Sequence, residues 1–160
     1  MSNLIGEKDK FAIEYDLTKS EPYIMGNMCV WVNNDYIGYF NEEIIISTAQ
    51  YALNHLLQRL TQLENPLFNN QSQKEIYEIL SSDEIDNGQY ILTMGESFDD
   101  FIVYVIRKGN DMLFMWQLCD MPFYNYTNYD KNLKYKSISI DYFIKCIREF
   151  NRQLSIQERA

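Results

Sequence analysis

The spacing of apolar residues changes along this chain, and that change constrains the fold more than any other feature of the sequence. Between Lys10 and Leu17, Phe11, Ile13, Tyr15 and Leu17 alternate with Ala12, Glu14 and Asp16, the pattern of a strand with one face buried. Lys19-Ser20-Glu21-Pro22 interrupts it. A second strand is expected over Tyr23–Val32, then a turn at Asn33-Asn34-Asp35 and a short returning strand over Tyr36–Phe40, together a hairpin. From Ile46 the repeat lengthens to about 3.6 residues, and Ile46, Ala49, Leu53, Leu56, Leu57, Leu60 and Leu63 fall on one helical face. Ser47 or Asn41 is placed to cap this helix, Glu42 and Glu43 to face its positive end, and Asn65-Pro66 to stop it.

Leu67–Gln73 reads as loop, Lys74–Leu80 as a short helix with Ile76, Ile79 and Leu80 inward, and Asp83–Gly88 as an acidic turn. Strand spacing then returns over Gln89–Met94, Phe101–Arg107 and Met112–Leu118, the last two flanking the compact turn Lys108-Gly109-Asn110-Asp111. Phe101–Ile106 and Met112–Trp116 are nearly continuous apolar runs, as in central strands covered on both faces. Asp120–Asn132 forms a long aromatic loop, and Lys134–Ile138 a final strand. Ser139 caps a C-terminal helix with Ile140, Phe143, Ile144, Ile147, Phe150 and Leu154 on one face. This order of strands, helices, strands and helix predicts one α+β domain over residues 1–160. Its expected form is a mainly antiparallel sheet of about six strands, packed by two long helices and one short one.

Charge narrows the classes of partner. Asp plus Glu number 23 against 14 Lys plus Arg, a net charge of −9. Nucleic-acid binding and docking on anionic membranes both call for a basic surface, so neither is expected. The polar segment Met1–Lys10 lacks the apolar core of a secretory signal, and no apolar run reaches the length of a membrane span. Cys29, Cys119 and Cys146 are odd in number and widely spaced, which fits free thiols in a reducing cytosol better than a disulfide framework.

No motif of catalysis stands out. His55 is the single histidine. It falls opposite the leucine stripe of its helix, beside Tyr51, Arg59 and Gln62, and the sequence supplies no nucleophile, acid or metal ligand to converge on it. Phosphate loops, dinucleotide fingerprints, nucleophile elbows and zinc motifs are missing. Asp83, Glu84 and Asp86 lack the spacing of a calcium loop. No catalytic residue, cofactor or metal is therefore assigned.

Two surface features remain. Residues 1–100 carry 17 acidic and 5 basic residues, whereas residues 101–160 carry 6 and 9. The dense acidic stretch comprises Asp83, Glu84, Asp86, Glu96, Asp99 and Asp100. It reads either as a solvated face or as a surface that attracts a basic protein. Phe123, Tyr124, Tyr126 and Tyr129 stand among turn residues in the loop Met121–Tyr129. They serve either protein recognition or the covering of a sheet edge.

Several segments together carry a family likeness: Phe11-Ala-Ile-Glu-Tyr15, Tyr23-Ile-Met-Gly-Asn27, Trp31-Val-Asn33 and Ile37-Gly38, ahead of a leucine-rich helix. With Ser137-Ile-Ser-Ile140 leading into the Phe143/Ile147/Phe150 helix, the chain resembles immunity protein family 42 of bacterial polymorphic toxin and contact-dependent growth inhibition systems. The resemblance implies a cytosolic, non-enzymatic antitoxin that binds a cognate toxin C-terminal domain and blocks its action. A basic toxin domain, a nuclease among the candidates, would suit the acidic surface. An acidic secretion chaperone or adaptor is the alternative, and a small hydrolase using Asp or Glu a third reading.

Overall fold

The computed structural model of the chain describes residues 2–158. Eight strands form two antiparallel sheets, one of five strands and one of three, rather than a single sheet of about six. In the first sheet β1 (Asn3–Gly6), β2 (Phe11–Lys19) and β3 (Met25–Val32) pair in order. β4 (Asp35–Ile37) and β5 (Ile44–Ile45) both pair with β3, β4 against Val30–Val32 and β5 against Met25–Gly26. The turn between β3 and β4 falls at Asn33 and Asn34, with φ of 53° and 68°, a left-handed pair that asparagine tolerates and hairpins favour. β4 is shorter than expected because Gly38 takes φ 108° and turns the chain away. β1 has too few apolar residues to declare itself; it forms because the β2 edge beside it offers unpaired backbone groups.

Helix α1 (Ile46–Gln58) follows β5 without a break. Neither Ser47 nor Asn41 caps it: the N-cap is Ile45, with no side-chain hydrogen bond. The Ile46 N–H instead donates to the Ile24 carbonyl at 2.8 Å, so strand pairing satisfies a donor that a cap would otherwise serve. Glu42 and Glu43 lie before β5, outside the first helical turn, and Glu43 accepts from Thr18 Oγ1. α1 also stops short of Asn65-Pro66. Its end tightens into a 3-10 turn at Leu60–Leu63, and the Arg59 guanidinium donates to the carbonyls of Gln89 and Ile91 at 2.9 and 3.2 Å. Within Leu67–Gln73, Phe68 is buried by a second 3-10 turn, Pro66–Phe68. α2 (Gln73–Ser81) starts from a capping box, Ser72 with Glu75.

The expected strand Gln89–Met94 is not one. Gly88–Tyr90 is a 3-10 turn, and the only ladder contacts are the Ile91–Tyr104 bridge and the Leu92 N–H on the Val103 carbonyl. Tyr90, Leu92 and Met94 are buried and Thr93 is exposed, so the alternation is real but records burial of an extended segment rather than pairing. β6 (Phe101–Lys108), β7 (Asp111–Leu118) and β8 (Lys134–Ser139) make the second sheet, with β7 in the middle. Met112–Trp116 of β7 is buried throughout, as its unbroken apolar run requires. α3 (Ile140–Glu158) begins with the Tyr142 N–H donating to Ser139 Oγ at 3.3 Å.

One continuous hydrophobic cluster runs through both sheets. α1 buries Ile46, Ala49, Leu53 and Leu56, and α3 buries Phe143, Ile147, Phe150 and Leu154. The two helices are joined by reciprocal amide hydrogen bonds between Asn54 and Asn151, with Gln50 donating to the same Asn151 oxygen. Phe143 stands 4.9 Å from Phe11 of the first sheet and 5.8 Å from Phe114 of the second, so α3 ties the sheets together. Gly26 is forced by packing: a Cβ there would sit 2.1 Å from the Asp16 carbonyl oxygen.

Candidate partner-binding surface

The aromatic loop is built on Asp100. Gly95 (φ 123°) turns the chain into a 3-10 turn at Glu96–Phe98, which delivers Asp100 to the start of β6. The Asp100 side chain is buried, yet it pairs with no cation among the described residues. Its Oδ1 accepts the Phe123 N–H at 2.8 Å, and Oδ2 accepts the Tyr124 N–H and the Tyr126 hydroxyl at 3.0 Å each. A carboxylate can accept several bonds at once, which a neutral side chain of this size cannot. Asp100 thus fixes the loop from within, and its carboxylate is not offered to a partner as the acidic pattern suggested.

The four aromatics divide. Tyr126 and Tyr129 turn inward: Tyr126 packs edge-on to Phe101 at 5.3 Å and stacks near Tyr36 at 6.3 Å. Tyr129 donates its hydroxyl to the Tyr36 carbonyl at 2.7 Å. Lys134 lies 4.2 Å from the Tyr129 ring centroid and 3.3 Å from Asp35. Burial raises the Tyr129 phenol well above its ordinary range, and burial followed by the Asp100 hydrogen bond does the same for Tyr126. These two cover the sheet edge. Tyr124 is half-buried and stacks on Tyr39 at 4.4 Å, while Phe123 is 86% exposed.

Around Tyr124 the chain gathers acids from separate segments. Its phenol is raised first by partial desolvation and then by the charges of Glu42, Glu96, Asp100 and Asp99. Glu42 comes from the β4–β5 connection, and the Tyr39 N–H is held by the Ser97 carbonyl at 2.7 Å, which brings the two segments together. A shallow cleft of about 280 Å³ borders Glu96, lined by Met25, Glu43, Ile44 and Thr48. Sequence spacing identified Glu96, Asp99 and Tyr124 but passed over Glu42 and Tyr39. The Tyr-Phe-Asn-Glu-Glu run at Tyr39–Glu43, an aromatic next to acids in a turn, was the available signal.

Asp83, Glu84 and Asp86 do not join this surface. They follow α2, with Asp86 Oδ1 accepting the Gly88 N–H at 3.1 Å and Ser82 Oγ the Glu84 N–H at 3.2 Å. Gln89 next to them is bound to the Gln62 carbonyl, beyond the C-terminal end of α1, whereas Glu96 lies by Thr48 near its start. The length of α1 separates the two halves of the acidic stretch, roughly 15–20 Å at 1.5 Å per residue.

His55 is exposed, as its helical position predicts. It stacks on Tyr51 at 5.7 Å and meets Arg59 Nη1 through Nδ1 at 2.7 Å. Among the described residues, no three His, Cys, Asp or Glu side chains come together as a metal site. The three cysteines are free, with Cys29 and Cys146 buried. No helix among the described residues is long and apolar enough to cross a membrane.

Comparison with known proteins bears on what such a surface is for. The family model of immunity protein 42 matches residues 1–153. The chain belongs to the immunity protein 42 family. No curated protein sequence matches it. Its fold is similar to that in the crystal structure of CdiI from Burkholderia dolosa AUO158. The TM-score is 0.69 at 13% identity, over 94% of this chain and 99% of the other. Membership gives this immunity protein 42 relative an immunity role, as its N-terminal and C-terminal segments had implied.

Proposed function

We propose that this protein is a cytosolic immunity protein that neutralises a cognate toxin C-terminal domain by stoichiometric, non-enzymatic binding. The family match over residues 1–153 carries this reading. The surface composed of Glu42, Glu96 and Asp99 around the Tyr39–Tyr124 stack supports a basic toxin domain as the partner. Carboxylates arranged about a fixed aromatic platform accelerate encounter with a positively charged protein, and the aromatic surface slows dissociation. A nuclease, whose substrate groove is positively charged, is the toxin class that such a surface fits best.

The test is co-expression with the toxin C-terminal domain encoded beside it. Cells should survive only when this protein is present, and the purified complex should contain one copy of each chain with the toxin domain folded. An unfolded toxin segment in the complex would favour the chaperone reading instead, and survival without any complex would refute direct neutralisation. Glu96→Lys with Asp99→Lys should slow association about tenfold or more and flatten its salt dependence.

A further inference from the structure

The acidic surface is interrupted at one point by an apolar tip. Met121 and Phe123 are 91% and 86% exposed, the two most exposed large apolar side chains among the described residues, with Pro122 between them. Exposed residues of this size usually sit on loops free to fold over them, but this tip is held in place. The Phe123 and Tyr124 amides are bound to the Asp100 carboxylate. The Phe123 ring meets the Tyr124 ring edge-on at 5.0 Å, and Tyr124 is stacked on Tyr39. The other leg of the loop is tied by Lys131 Nζ on the Asp120 carbonyl at 2.8 Å and Gln117 Nε2 on the Lys131 carbonyl at 2.9 Å. A convex, pre-ordered apolar tip loses little side-chain and loop entropy on insertion into a cavity, which is what makes a residue an effective anchor.

Charge selects the occupant. Glu42, Glu96 and Asp99 act on Tyr124, whose ring touches Phe123, and they outnumber the one ammonium held at the foot of the loop, Lys131, on a chain of net charge −9. A second copy would bring like charges face to face, and an anionic bilayer would meet the same repulsion. We infer that Met121 and Phe123 form an anchor that enters an apolar socket rimmed by Lys and Arg on the folded toxin domain. This rests on the immunity reading and adds to it a specific mode of engagement: the partner is concave at this point, and the loop fills it.

The experiment measures binding of the co-encoded toxin C-terminal domain to the parent protein and to Phe123→Ser, Met121→Ser and Phe123→Leu variants, beside their thermal melts. Because both side chains are in water, the serine variants should melt within a degree or two of the parent. Phe123→Ser should weaken binding at least about 30-fold, almost all of it in faster dissociation, and Phe123→Leu should restore most of the loss. Met121→Ser should show a smaller loss of the same kind. Parent-like affinity of the Phe123→Ser and Met121→Ser variants would overturn the anchor while leaving the immunity reading intact. Failure of the parent itself to bind would overturn both. Self-association of the parent that Phe123→Ser abolishes would also overturn the socket on the toxin, since the tip would then be occupied by a second copy.

Discussion

Asp100 offers the sharpest test of how the aromatic loop is built. Its side chain is 8% exposed and accepts three hydrogen bonds, from Phe123 N–H, Tyr124 N–H and Tyr126 hydroxyl. Hydrogen bonds to a charged acceptor contribute about 1.5–3 kcal/mol each. The full sum is not lost in Asp100→Ala, for two reasons. Removing the carboxylate also removes the cost of desolvating it, and the two amides belong to a surface loop that water can reach once it loosens. A net loss of about 2–4 kcal/mol follows, which for a chain of this length lowers the melting temperature by about 5–15 °C. Asp100→Asn keeps the shape but turns an NH2 group toward one set of donors, so roughly 1–2 kcal/mol is expected. Urea and thermal unfolding read the stability. Amide exchange at Phe123 and Tyr124 reads the loop directly, and both amides should exchange faster in either variant. An Asp100→Ala protein within about 0.5 kcal/mol of the parent, with unchanged exchange at these two amides, would refute the role assigned to the carboxylate.

Cysteine reactivity follows from burial. Burial first, and then the nearby Glu14 charge, push the Cys29 thiol up to about 12, and burial also raises Cys146. At pH 8 Cys119 should react first with iodoacetamide, the other two only in denaturant; rapid native labelling of Cys29 would contradict this. Gly38→Ala should lose about 2–3 kcal/mol in thermal unfolding, because φ is 108° and a Cβ would lie 2.6 Å from the Phe98 ring. A parent-like melt would show that the ring moves aside freely. Glu14 is raised by burial, but hydrogen bonds from Ser2 and Trp31 and the charge of Lys8 outweigh this and leave it below 4.5. A depressed carboxyl adds stability above its unfolded pKa and loses it as pH falls through the folded value. The parent should therefore exceed Glu14→Gln in stability at pH 7, with the gap closing below pH ~4; a gap that is constant with pH would rule this out.

Much of the architecture was legible because periodicity is a local property. The faces of α1 and α3, the hairpin at Asn33-Asn34, the β6–β7 hairpin and the Ser139 cap all depend on residues within a few positions of one another. The misread elements depend on distant partners. Ser47 has the chemistry of a cap, but Ile24, just ahead of β3, already supplies a carbonyl to the Ile46 amide. Gln89–Met94 has the alternation of a strand, but Arg59 and the 3-10 turn hold it off the ladder at all but one bridge. In the candidate surface the types of residue were visible and their roles were not. Asp99 and Asp100 are neighbours of identical chemistry, yet one is exposed and the other buried.

Residue order alone specifies the three helices and their apolar faces, the strands from Phe11 to Val32 and from Phe101 to Leu118, the acidic balance and the family likeness. Each of these is carried by composition or by short-range spacing. Long-range packing divides the strands into two sheets, with Phe143 in contact with a phenylalanine of each. It also places Tyr126 and Tyr129 inward and Met121 and Phe123 outward, and brings the charges of Glu42, Glu96 and Asp99 to bear on the one Tyr124 phenol. The physical reason is the same in each case. A side chain's exposure is set by what packs against it. For this loop the deciding contact is a carboxylate more than twenty positions earlier in the chain, bonded to amides whose own residues give no sign of it.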